Sequence, residues 1–299
     1  MYTKYFGLKE RPFEISPDPK FLYLGENHKE ALAHLVYAVQ AEKGFTVITG
    51  EVGMGKTTLV QMLLGRIDGD VRTAHLFNPK LNPLDFLNYI CTDLGIKTDK
   101  KAGKGQVLAR LHKYLLERYA AGEKVVLLVD EAQALDPALL EEVRLLTNLE
   151  TPKRKLLQVV LLGQPELDKI LKDQSCRQLK QRICIRYRIS PLGRKETGEY
   201  IRHRLRAAGA KGDIFDGGAV NRVYRYSKGI PRLINVVCDN ALLTGFASEK
   251  KRIDRAIIRE VIGGLENPAG AGNGHRKIAV AMAAIAIVIG VLYLLIERF

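Results

Sequence analysis

The strongest chemical signal in the chain is the segment from Gly50 to Thr58, Gly-Glu-Val-Gly-Met-Gly-Lys-Thr-Thr. The pattern Gly50-x-x-x-x-Gly55-Lys56-Thr57 lies between an apolar, β-branched run (Phe45 to Thr49) and a helix-compatible stretch, so it reads as strand, loop, helix. Glycines at 50, 53 and 55 let the backbone curl so that successive N–H groups surround an anion. A helix starting near Lys56 adds the positive end of its dipole. Lys56 is expected to reach the β- and γ-phosphates of a nucleotide, and the Thr57 hydroxyl to ligate Mg²⁺. Glu51, Val52, Met54 and Thr58 complete a loop that predicts ATP and Mg²⁺ as ligands.

A second half-site lies in "EKVVLLVDEAQALDP". Val125 to Val129 is an unbroken apolar run, as a central strand buried on both faces requires. Asp130 and Glu131 follow at its C-terminal end, where open α/β sheets place their ligands. Asp130 is expected to hold Mg²⁺ and Glu131 to orient and deprotonate an attacking water, which predicts a hydrolase. Asp136 and Pro137 read as the cap and first turn of the next helix.

The elements that must position these groups alternate. "RTAHLF" (72–77), "LLQVVLLG" (156–163) and "ICIRYRI" (183–189) read as further strands. Between them lie helices, among them one with Asn82 as cap, Pro83 in its first turn and Gly95 as its stop, and another ending on Gly122. Strands alternating with helices predict a parallel sheet covered on both faces. Beyond about Leu192 strand signals cease and four helical stretches follow. The expected domains are therefore 1–191, an α/β P-loop domain with a five-stranded parallel sheet and an N-terminal extension, and 192–262, a small helical lid. In the latter, Gly229 ends one helix, and Pro231 opens the next with Arg232 in its first turn.

With 299 residues, 46% of them hydrophobic, the chain can bury a sizeable core. Its net charge of +14 suits nucleic acid, an anionic membrane face or simple solubility. The four scattered cysteines (Cys91, Cys176, Cys184, Cys238) read as buried thiols in a reducing compartment. The N-terminus lacks the apolar region of a signal peptide.

The P-loop, "LLVDE", the strand ending in "GQPEL", the basic "LKQRICIRY" and the later "GIPRLIN" together resemble an AAA+ ATPase. The opening "YFGLKERPFEISPDPKFLYLGENHKEALAHLVYAV" is similar to the start of the general secretion pathway protein A family, which includes type II secretion and pilus-biogenesis ATPases and an ATPase of exosortase/exopolysaccharide loci. The resemblance spans roughly residues 2–262. It implies that Arg182, just before the fifth strand, is an arginine finger reaching a neighbouring subunit of a homo-oligomer, for which a ring is one form, and that Arg232 is the sensor-2 arginine. A cation in a helix's first turn works against the dipole, so a bound anion would explain Arg232. Gln164, ending the fourth strand, departs from the shorter polar sensor usual there. It is expected either to bond the γ-phosphate or water, or to have no such role. Phe13 and Ile15 are expected to border the adenine or, equally, to pack the opening segment on the sheet.

Residues 263–277 read as a flexible tether. Ile278 to Ile296 then carries no charge and would span ~28 Å as a helix, enough for one membrane crossing. His275, Arg276 and Lys277 precede it, which predicts a single pass through the inner membrane with the ATPase part in the cytoplasm. The longer secretion proteins continue into a peptidoglycan-binding part. Only three residues follow here, so cell-wall work is expected to fall to an envelope-complex partner. Two functions remain open on the sequence: a membrane-anchored ATPase serving an envelope secretion, pilus or exopolysaccharide machine, and a DNA-acting ATPase related to transposition helpers, its phosphate grip supplied by the basic stretch Arg177 to Arg206. The absence of a helix-turn-helix signal weighs against the second.

Overall fold

The computed structural model describes residues 1–267 except Ser16, Pro17, Asp68, Asn78, Lys100 and Lys153. A short helix α1 (Tyr2–Tyr5) and an extended segment lead into α2 (Glu26–Gln40) and the first strand, β1 (Phe45–Thr49). Then come α3 (Lys56–Leu64), β2 (Val71–Leu76), α4 (Pro83–Asp93), α5 (Lys104–Ala120) and β3 (Lys124–Val129). The sheet domain finishes with α6 (Pro137–Leu146), β4 (Gln158–Gly163), the short helices α7 (Pro165–Ile170) and α8 (Arg177–Lys180), and β5 (Ile185–Arg188). Four helices close the described chain: α9 (Arg194–Ala207), α10 (Gly217–Ser227), α11 (Pro231–Ala247) and α12 (Arg255–Glu266).

The five strands form one parallel sheet in the order β2-β3-β4-β1-β5. The fold class expected from the sequence is thus observed for the sheet and the helical lid. The expected membrane helix (Ile278–Ile296) and most of the 263–277 tether lie outside the described residues. Among the described residues no helix is long and apolar enough to cross a membrane.

Period-two geometry sends alternate side chains of the central strands to opposite faces. On one face Val47, Leu127, Val129 and Leu161 pack with Phe86 and Ile90 of α4, Leu111 of α5 and Val143 of α6. On the other, Ile48, Leu128 and Leu162 pack with Leu35 of α2 and Leu59 and Leu63 of α3. The ends of β1 and β3 cannot drift without shearing both layers. Local signals hold where they were strong: Asn82 Oδ1 accepts the Asp85 N–H (2.9 Å), and Asp136 Oδ1 accepts the Leu139 N–H (2.8 Å).

Apart from Leu24, which packs against the sheet domain, the apolar residues of the opening segment join the lid. Tyr2, Leu8, Phe13 and Phe21 join the apolar cluster of the helical lid, with Leu192, Ile201, Val237 and Ile258. Phe13 is buried edge-to-face against Phe215. The buried Arg204 of α9 ties the segment down: its guanidinium donates to the carbonyls of Pro12 (2.5 Å) and Glu14 (3.0 Å) and to the Tyr200 hydroxyl (2.9 Å). Helix α9 presents Tyr200 and Arg204 one turn apart on a single face; the carbonyls that Arg204 satisfies are nearly two hundred residues away, and the Tyr200 hydroxyl donates to Asn235 Oδ1 (2.8 Å). Cys91, Cys176 and Cys238 are buried thiols, but Cys184 is exposed because it leads into an edge strand.

Candidate nucleotide site

Lys56 opens α3, with Gly55 as its cap in the left-handed region (φ 83°) and Gly53 also left-handed (φ 80°). Those two glycines make the curl that the sequence predicts, since a side chain at either φ costs about 1–2 kcal/mol. Gly50 differs: its φ is ordinary, and it is small because a Cβ would stand 3.3 Å from Ile189 Cβ and 3.6 Å from Met54 Cβ. Met54 is fully buried, whereas Glu51 is exposed, its carboxylate 3.8 Å from Arg188, and Val52 lies half-exposed on the rim.

The Lys56 ammonium is buried and donates to the carbonyls of Gly50 (2.7 Å) and Glu51 (3.1 Å). Burial lowers its pKa, against the opposing pull of Glu131, Asp130 and Glu51. A buried cation whose hydrogen-bond partners are neutral is under-compensated, and a phosphate at the loop would supply the missing charge. At the end of β3, Asp130 is buried and accepts the Thr57 hydroxyl on Oδ2 (2.7 Å) and the Glu131 N–H on Oδ1 (2.8 Å). This pair of hard oxygens fits Mg²⁺, which binds through one or two protein oxygens plus phosphate and water. Among the described residues no group of three or more His, Cys, Asp and Glu gathers to hold a metal by itself.

Glu131 adopts the left-handed conformation (φ 51°, ψ 37°), unusual for a residue with a side chain. Its Oε2 accepts from two amides, Gln133 Nε2 at 2.5 Å and Gln164 Nε2 at 3.0 Å. Partial burial pushes its pKa up, but those donors and the Lys56 charge outweigh burial, and the net direction is down. Gln133 was not singled out by sequence. The only signal for it was one polar side chain in the otherwise apolar "EAQAL".

A cleft of about 300 Å³ joins these groups to the lid. Lys56, Thr57, Thr58 and Glu131 line it from the sheet domain, with Ile15, Tyr23 and Leu24 of the opening segment and Arg232 and Asn235 of α11. Of the two N-terminal residues considered for the adenine, Ile15 borders this cleft and Phe13 packs inside the lid cluster instead. The Arg232 N–H donates to the Gly53 carbonyl (3.3 Å), which sets the first turn of α11 directly on the loop. His28 of α2 borders the cleft and supports the loop, its Nε2 bonded to the Met54 carbonyl (2.7 Å). Arg182 lies outside the cleft of its own chain and donates to the Thr147 hydroxyl (3.1 Å). Its basic neighbours are partly paired, Arg186 with Asp168 and Arg188 with Glu51.

Comparison with known proteins accords with this geometry. Residues 39–171 match the AAA domain family. The chain is 49% identical over 253 residues to general secretion pathway protein A of Aeromonas hydrophila. This chain is an AAA-domain relative of general secretion pathway protein A. The aligned region covers 85% of this chain and 46% of that protein, so the chain spans just under half of its relative's length. Among solved structures, Aeropyrum pernix ORC2 aligns with a TM-score of 0.62 at 17% identity, over 85% of this chain and 71% of that one. A chain of Drosophila ORC bound to DNA gives 0.64 at 20%, covering 84% and 63%. A point mutant of Thermotoga maritima RuvB gives 0.55 at 18%, covering 84% and 73%. At such identities the likeness shows the fold alone.

Proposed function

We propose that this chain hydrolyses ATP with Mg²⁺ and uses the turnover to drive or regulate assembly of a bacterial envelope secretion, pilus or exopolysaccharide export machine. One observation carries the hydrolase reading. The Thr57 hydroxyl and the Asp130 carboxylate meet at 2.7 Å while Lys56 and Glu131 line the same cleft. In this reading Lys56 holds the terminal phosphates, and Thr57 and Asp130 hold Mg²⁺. The ion, when bound, neutralises charge on the phosphate oxygens. Glu131 orients the attacking water and takes its proton, Arg232 contacts the γ-phosphate from the lid, and Arg182 completes the site of a neighbouring subunit. The envelope role draws its support from the 49% identity to general secretion pathway protein A. The uncharged run Ile278–Ile296 would anchor the chain in the inner membrane with the ATPase part in the cytoplasm. The likeness to ORC and RuvB chains brings no nucleic acid with it.

The test is phosphate release by the full-length chain, reconstituted in bilayers, with Lys56→Ala and Glu131→Gln as controls. Mg²⁺-dependent release that both substitutions abolish is expected. Release unaffected by either would end the reading. An Arg182→Ala chain mixed with a Glu131→Gln chain should regain activity if subunits share sites.

A further inference from the structure

We propose that Gln133 and Gln164 are positioning residues that divide the labour of the Glu131 carboxylate: two amides pin Oε2, so that Oε1 alone receives the catalytic water. The proposal rests on Glu131 acting as the base. The orientation of the Gln133 amide follows from chemistry. The backbone N–H of Gln164 can only donate, and it lies 2.9 Å from Gln133 Oε1, so that end is the oxygen. The nitrogen end must then face Glu131, whose ionised carboxylate can only accept, and it does so at 2.5 Å. The Gln164 side chain adds its own N–H to the same oxygen. Among the described residues Oε1 has no protein partner.

The bracket is built into the sheet. Gly163, at the end of β4, has no room for a side chain, because a Cβ would come 2.8 Å from Leu167 and 3.1 Å from Gln133 Oε1. Its carbonyl accepts the Gly50 N–H (3.1 Å), so the loop that would take the phosphates and the amides that hold the base are tied to one residue. Glu131 sits in a left-handed conformation that needs such support, and its carboxylate would otherwise sample several rotamers. Fixing one oxygen and freeing the other turns a symmetric carboxylate into a base of single direction, which is the condition for a near-attack geometry.

Lys56 is the charged group that acts on Glu131, Asp130 is its chain neighbour and Arg232 lines the same cleft, and the substitutions below leave all three in place. Gln133→Glu keeps the acceptor for the Gln164 N–H and replaces the donor by a repelling carboxylate. Gln133→Met removes both bonds at similar length, and Gln164→Met removes the second donor alone. Each variant is measured as the full chain in bilayers for kcat, KM for ATP and melting temperature. The expected result is a kcat lowered about 10-fold or more with a KM within about twofold of wild type, the split that a misplaced base produces and a loss of nucleotide binding does not. Effects of the two methionine variants should combine less than additively, since both act on one oxygen. Wild-type kcat in folded Gln133 and Gln164 variants would overturn the proposal, as would a fall in kcat that merely follows a fall in melting temperature. Retained turnover in Glu131→Gln would instead remove the base reading beneath it, and the two failures are therefore distinguishable.

Discussion

The two walls of the cleft are held in place by different physics. The sheet wall carries Lys56, Asp130 and Glu131 at the ends of β1 and β3, which are separated only by β4 and locked by continuous ladders and by apolar layers on both faces. The lid wall has its own apolar cluster, shared with the opening segment. It meets the loop through the Arg232 N–H on Gly53 (3.3 Å) and the sheet domain through Ile230, which packs against the sheet's apolar cluster. The Glu196 carboxylate adds a bond to the Glu26 N–H (3.0 Å). The groups assigned to chemistry thus sit on the wall locked by ladders and apolar layers, and the lid wall adjoins it through fewer contacts.

The largest expected effect strikes the rigid wall. Glu131→Gln should keep ATP affinity, measured by calorimetry, and lower turnover by roughly 10²- to 10⁴-fold, the usual worth of a general base. Lys56→Ala should lose the binding itself. If both variants lost only turnover, the distinction between holding phosphate and activating water would fail.

Next comes the joint between the lid and the opening segment. Arg204→Ala should cost about 3 kcal/mol, because it leaves the Pro12 and Glu14 carbonyls and the Tyr200 hydroxyl without their charged donor. The melting curve should fall while proteolysis near the N-terminus accelerates. An unchanged melt would mean that the segment is not held by this side chain.

The contact between the walls is weaker. A Cβ on Gly53 would overlap Arg232 Cβ, and its φ of 80° is unfavourable for alanine. Gly53→Ala should therefore lower the melting temperature by a few degrees through its φ alone and, by holding the lid off the loop, weaken ATP binding about 10-fold (~1.4 kcal/mol). Wild-type affinity in that variant would show that the lid contributes nothing to binding.

The smallest effect concerns pH. Burial pushes the His28 pKa below its ordinary 6.5, against the Met54 carbonyl bond and the charge of Glu196. The folded state thus resists protonation that the unfolded chain accepts. Stability supplied by neutral His28 is complete above pH 6.5 and declines as the pH falls from there toward the lower folded value. Denaturant unfolding over that window should slope downward on the acid side for wild type and less so for His28→Gln. Equal slopes would assign the acid sensitivity elsewhere.

Much of this was legible from local patterns. The loop 50–58 and the caps Asn82 and Asp136 depend on bonds within a few residues, so residue type and spacing suffice to specify them, and the acids Asp130 and Glu131 were readable from their place after an apolar strand. The strand runs were readable because burial on both faces demands unbroken apolar residues. The sequence by itself therefore determined the glycine-lysine-threonine loop between strand and helix and the order of the elements. Only the tertiary structure decided that the Gln133 amide meets the Gln164 N–H, that Phe13 belongs to the lid, and that Arg204 holds Pro12 and Glu14. Such contacts join residues tens to hundreds of positions apart, and which of many polar or apolar groups meet there is set by how whole layers pack, a quantity no short window of residues contains.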